Sequence, residues 1–180
     1  MADTSHPLLI VSCKVLELAE DSPLAPRIFR LLGRRTREGA HLLLTASEPD
    51  QWFPTRGKED SVLSRQARLL GRLQEAGGEL DGVYYIPRSM FTQDRKRATA
   101  LRDILRRYAI EPANVTLVSS SGAFLRAARR LEIRTLAVVA GETSMEQLIA
   151  ALEHDAEPHT GEGQRPDKRR KGKKRRKKER

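Results

Sequence analysis

The sequence predicts a doubly wound α/β domain built on a parallel sheet, followed by a basic tail without structure of its own. Three observations carry this. Short apolar runs alternate with amphipathic stretches at helical spacing, five times along the chain. The runs are apolar throughout rather than every second residue, as strands covered on both faces are. From Ala156 onward, AEPHTGEGQRPDKRRKGKKRRKKER holds no Val, Ile, Leu or aromatic residue, so burial cannot offset the entropy of ordering it. The expected division is a domain over 1–155 and a disordered Lys/Arg-rich tail over 156–180.

The first run, Leu8 to Val11, stops on Ser12, Cys13 and Lys14, which predicts a buried strand with polar residues at its carboxyl end. In an open α/β sheet that end is where ligands gather. VLELAED then leads to Ser22-Pro23, a plausible N-cap and N1 pair. The next helix is expected over Pro26 to Glu38, with Ile28, Leu31 and Leu32 inward and Gly39 ending it. His41 to Thr45 (HLLLT) reads as the second strand, again closing on a hydroxyl. SEPDQWFPTRGKED has the composition of a long loop. Ser61 to Ala76 is expected to be helical, with Leu63, Ala67, Leu70 and Leu73 on one face. Val83 to Ile86 is the third strand, closed by Pro87. After a loop to about Gln93, Leu101, Ile104, Leu105 and Tyr108 form the stripe of an Arg-rich helix. Asn114 to Val118 is the fourth strand, SSSG opens a helix reaching about Leu131, Thr135 to Val139 is the fifth strand, and Ser144 to His154 is a short helix. Right-handed crossovers between such elements give a parallel, doubly wound sheet.

The 180 residues carry one cysteine, Cys13, and a formal net charge of +10. One cysteine excludes an intramolecular disulfide and any multi-cysteine zinc site, and fits a reducing compartment. MADTSHP lacks the basic start of a signal peptide, and no run approaches the roughly 20 apolar residues of a membrane span. The expected location is cytoplasmic. Arg165 to Arg180 holds 12 Lys or Arg and 2 acidic residues, so the whole excess of +10 lies there, and residues 1–164 are neutral.

NVTLVSSSGAFLRAARRLEIRTLAVVAG, GGELDGVYYIP and QDRKRA together resemble the haloacid dehalogenase-like (HAD) superfamily, in particular its heptose bisphosphate and histidinol phosphate phosphatase branch. The resemblance covers most of positions 8–141. It implies a Rossmannoid three-layer sandwich and a magnesium-dependent phosphomonoester hydrolase. The family's first motif is Asp-x-Asp directly after strand one, its carboxylates acting as nucleophile and general acid/base. Here those positions are Ser12 and Lys14. The acidic metal ligand of the fourth motif corresponds to Ser119-Ser120, and the family's zinc loop begins where this chain has Ile86 and Arg88. Thr45 and the basic pair Arg95-Lys96 do match, at positions where the family holds the phosphoryl group and substrate.

Magnesium is held through carboxylates and other hard oxygens, and serine without an adjacent base is a weak nucleophile. The expectation is therefore a catalytically degenerate phosphatase-like protein, with no catalytic residue intact at the degenerate positions Ser12, Lys14 and Ser120. Two readings of the pocket stay open: a dead site with a solvated Lys14, or a phosphate cradle. The cradle would be built from Ser12, Lys14, Thr45, Arg95, Lys96, Ser119, Ser120 and Ser121, with backbone N–H groups at a helix start. It would take a phosphorylated small molecule, with Lys14 standing near the magnesium position. A Ser12–Lys14 dyad, two residues apart on an extended segment, is a weaker candidate. The expected cofactor is none; magnesium belongs only to the alternative, a sugar-phosphate phosphatase, and zinc to neither. Trp52 and Phe53 read either as a partner anchor or as a local loop core, and His154 and His159 match no metal spacing.

The tail's block of like charge, Lys168, Arg169, Arg170, Lys171, Lys173, Lys174, Arg175, Arg176, Lys177 and Lys178, predicts an electrostatic partner. Nucleic acid, RNA foremost, is expected, bound through phosphates without base stacking because aromatic residues are absent. An anionic membrane surface, a nuclear import signal and a purely solubilising tail are the rivals.

Overall fold

The computed structural model describes residues 6–47, 56–86 and 93–154. The predicted tail, the Trp52-Phe53 pair and His159 lie outside these residues. The elements in order are β1 (Leu8–Ser12), α1 (Cys13–Glu20), α2 (Ala25–Arg37), β2 (His41–Ser47), α3 (Arg56–Glu75), β3 (Gly82–Ile86), α4 (Gln93–Tyr108), β4 (Val115–Ser119), α5 (Gly122–Arg129), β5 (Arg134–Ala137) and α6 (Glu142–His154). The five strands form one parallel sheet in the order β3-β2-β1-β4-β5.

β1 is central because it is the most apolar run, and it is covered on both faces. Leu9 and Val11 point into one core, with Ile28, Leu32, Leu69, Leu73, Met145 and Leu148 from α2, α3 and α6. Leu8 and Ile10 point into the other, with Leu101, Ile104, Phe124 and Ala128 from α4 and α5. The pleat sends successive side chains to opposite faces, so one unbroken LLIV run serves two helix layers. α1, α2, α3 and α6 lie on one side of the sheet and α4 and α5 on the other, as the expected winding requires. Gly33 lets α2 close onto the end of α3, since a Cβ there would stand 2.5 Å from the Ala76 carbonyl oxygen. Gly77 ends α3 at φ +73°, a conformation that costs glycine nothing.

Several element expectations need correction. The residues after β1 are not extended: α1 starts at Cys13, with Val15, Leu16 and Ala19 buried at helical spacing. This places Lys14 on the first turn of a helix, so the extended-segment geometry argued for a Ser12–Lys14 dyad is absent. Ser22-Pro23 does not start α2. The Ser22 side chain instead accepts a hydrogen bond from Leu24 N at 3.2 Å, and the helix begins two residues later. α3 begins at Arg56 rather than Ser61, shortening the expected loop. On α3 it is Leu69, not Ala67, that is buried. His154 closes α6 as expected, its Nδ1 lying 2.9 Å from the Ala150 carbonyl oxygen.

No helix among the described residues is long and apolar enough to cross a membrane.

Candidate functional site

At the carboxyl ends of β1, β2 and β4 the sheet opens into a cavity of about 370 Å³. This is the switch point of the winding: β1 is flanked by β2 on one side and β4 on the other, and the two connections leave on opposite faces. Register sets the cavity floor. Ser12 is aligned with Thr45 across β1 and β2, and Ser119 closes β4 on the other side. Ser12 and Ser119 thus end their strands, and Thr45 stands beside Ser12 two residues before the end of β2.

The hydroxyls differ in their partners. Ser119 Oγ accepts from Ser121 N at 3.1 Å, and Ser121 Oγ accepts from Phe124 N at 3.4 Å as the N-cap of α5. Each still has its own O–H to donate. Ser12 Oγ and Thr45 Oγ1 are buried and have no hydrogen-bond partner among the described residues. Ser12 is the residue before α1, yet its side chain makes no capping bond. Buried polar atoms are nearly always hydrogen-bonded, and these two belong to residues that line the cavity. The N-termini of α1 and α5 both open onto it, each with the positive end of its dipole.

Lys14, Arg65 and Arg97 stand on the cavity wall with Gln66, Ser120 and Ile86. Glu17 is the carboxylate among the described lining residues, and its Oε2 lies 3.1 Å from Lys14 Nζ. Cys13 is buried beside them, its thiol pushed up to about 11 by burial first and by the Glu17 charge second. It is not a nucleophile at neutral pH.

Of the residues proposed from sequence, Ser12, Lys14, Thr45, Ser119, Ser120 and Ser121 converge on this cavity. Arg95 and Lys96 do not line it. They lie exposed on the first turn of α4, and the lining residue is their neighbour Arg97. One helical residue turns the side chain by about 100°, so a basic triplet read without helical phase does not say which member faces inward. Arg65, Gln66 and Glu17 were missed. Glu17 was within reach, since a helix over CKVLELAE puts positions 14 and 17 on one face.

The parallel sheet in this order, with helices on both faces, is a fold shared with solved structures. D,D-heptose 1,7-bisphosphate phosphatase from B. bronchiseptica, solved in complex with magnesium and phosphate, superposes with a TM-score of 0.56 at 19% identity, over 82% of this chain and 97% of its own. The enzyme of the same name from Burkholderia thailandensis gives 0.51 at 17% identity, over 81% and 84%. An uncharacterised Corynebacterium glutamicum protein gives 0.52 at 12%, over 82% and 95%. No family model and no curated protein matches the chain.

The described lining residues do not fit the magnesium that accompanies the first of these structures. A hard divalent cation takes carboxylate oxygens, whereas the strand ends supply hydroxyls and the lining carboxylate Glu17 is tied to an ammonium. Among the described residues no group of three His, Cys, Asp or Glu is placed to hold a metal.

Proposed function

We propose that the protein is a non-catalytic derivative of the phosphatase fold whose pocket binds a phosphorylated small molecule without metal, and whose basic tail tethers it to nucleic acid. The observation that supports the pocket reading best is the pair of buried hydroxyls, Ser12 Oγ and Thr45 Oγ1, without a partner among the described residues. They face a cavity with two helix N-termini and three cationic side chains on its walls. Phosphate oxygens accept from the two hydroxyls and lie at the positive ends of the α1 and α5 dipoles, a combination that favours a dianion. Hydrolysis lacks its parts: neither position 12 at the end of β1 nor position 14 in the first turn of α1 is a carboxylate, and Ser12 has no base within hydrogen-bonding distance among the described residues.

The tail reading rests on 12 Lys or Arg against 2 acidic residues over Arg165 to Arg180. Such a run releases counterions from phosphates and makes affinity steeply salt-dependent.

The phosphatase reading has its own support in the fold, matched over most of the chain by two heptose bisphosphate phosphatases. Assay of p-nitrophenyl phosphate and a heptose bisphosphate with magnesium separates the two. The binding-module reading predicts no turnover above a heat-denatured control; magnesium-dependent hydrolysis lost in Ser12→Ala would establish an enzyme instead.

A further inference from the structure

Residues 1–164 are neutral as a whole but not in their parts. Residues 1–92 balance, with 12 Lys or Arg and 12 acidic residues. Residues 93–134, from the start of α4 to the start of β5, hold ten Lys or Arg and four acidic residues, a net of +6. Residues 135–164 hold six carboxylates and no Lys or Arg. The fold gathers the positive block on one layer, because α4 and α5 pack side by side over the core that contains Leu101, Ile104, Phe124 and Ala128.

We propose that the outer face of this α4–α5 layer is a docking surface for the phosphate backbone of a double-stranded nucleic acid. Arg102, Arg106 and Arg107 on α4 and Arg126, Arg129 and Arg130 at α5 are all exposed. Nine of the ten basic residues of the block are arginine, whose planar fork matches phosphate oxygens in a bidentate manner. Arg102 and Arg106, and likewise Arg126 and Arg130, are four apart. Such like-charge pairs weaken a helix, and the fold gains no burial from them. One carboxylate on the face, Asp103, is occupied: Arg106, Arg107 and the Tyr84 hydroxyl all donate to it. Glu111 and Glu132 stand at the turns that follow the two helices. The block's aromatics, Tyr108 and Phe124, are half-buried and buried, which leaves nothing to stack on bases and favours a duplex over a single strand. α4 is 16 residues long, so the face extends about 24 Å, a length over which a DNA duplex presents about 14 charges.

The surface takes its class of partner from the tethering reading above and extends it from the tail to the folded body; it does not depend on the pocket. The test uses the full-length chain and a 24-base-pair DNA duplex, with an RNA duplex of the same sequence to identify the source of the phosphates. Affinity is followed by fluorescence anisotropy between 50 and 200 mM KCl. The triple variant Arg102→Gln, Arg126→Gln, Arg130→Gln keeps helix propensity and should make the slope of log K against log salt shallower by about 2 to 3 on DNA, from about 0.9 per lost contact. The charge-matched triple Arg27→Gln, Arg30→Gln, Arg34→Gln on α2, in the opposite layer, should leave the slope unchanged. Equal losses from the two triples would reduce the effect to net charge and overturn the surface. So would a wild-type slope in the α4–α5 triple, even where Gln at Lys173, Lys174, Arg175 and Arg176 abolishes binding; the tail reading would then stand alone. Binding to neither duplex would remove both.

Discussion

Replacing Thr45 with valine separates a ligand-directed hydroxyl from a structural one, because one role shows in phosphate affinity and the other in the stability of the free protein. Thr45 is 3% exposed in the middle of three parallel strands, and its Oγ1 has no hydrogen-bond partner among the described residues. Valine keeps the branched shape that a strand favours and removes only the hydroxyl. A structural hydroxyl that is hydrogen-bonded in the fold would cost about 1–3 kcal/mol when its partner is left unpaired. Here no partner among the described residues is orphaned, so the free protein should hold its stability within about 1 kcal/mol. In a chain of this size that is a shift of about 2–4 °C in Tm at most. A hydrogen bond to a charged phosphate oxygen contributes about 1.5–3 kcal/mol, so affinity for inorganic phosphate should fall about 10- to 100-fold. Urea unfolding of the free protein and isothermal titration with phosphate read the two effects separately. A stability loss of 2 kcal/mol or more with unchanged phosphate affinity would refute the reasoning.

Further outcomes follow from other residues. Lys14→Glu should abolish the thermal shift given by phosphate while leaving the free protein's unfolding midpoint nearly unchanged, because the Lys14–Glu17 pair is largely exposed at a helix start; a retained shift removes Lys14 from the cradle. Cys13, buried and with its thiol raised to about 11, should resist labelling by a disulfide reagent at pH 8 in the native protein and react rapidly in urea; prompt native labelling would contradict the burial. Asp103 is held down to about 2, by Arg106 first, then by the Tyr84 hydroxyl and Arg107. A folded pKa below the unfolded one means that its contribution is present above about pH 4 and is lost as pH falls toward 2. Asp103→Asn should flatten that stretch of the stability-pH curve, and an unchanged acid limb would deny the cluster a role. Gly33→Ala should destabilise by about 1–3 kcal/mol, since the new methyl meets the Ala76 carbonyl; equal unfolding midpoints would show that α2 and α3 can separate at no cost.

The sheet was legible because its strands are short apolar runs ending on small polar residues. LLIV, HLLL and VTLV state both burial on two faces and the end at which the chain turns. The site was legible where strand ends build it: Ser12, Thr45 and Ser119 are read from where apolar runs stop. It was not legible where helices build it. Arg97 was hidden in the triplet Arg95–Arg97, and Arg65 among the arginines of α3, because charge alone does not give the helical phase. The short helix α1 was passed over because CKVLELAE follows its strand with no intervening turn residue, and Ser12, a start signal by residue type, reads equally as the polar end of the strand and makes no side-chain cap. That omission also hid Glu17 and made an extended Ser12–Lys14 pair look feasible.

The central claim is that the pocket takes phosphate with its own cations and helix ends in place of a metal. Titration of the full-length protein with inorganic phosphate in EDTA, repeated with excess magnesium, tests it most directly. Saturable binding in EDTA, not strengthened by magnesium and lost in Thr45→Val, is the predicted result. Binding that appears only when magnesium is added would contradict it.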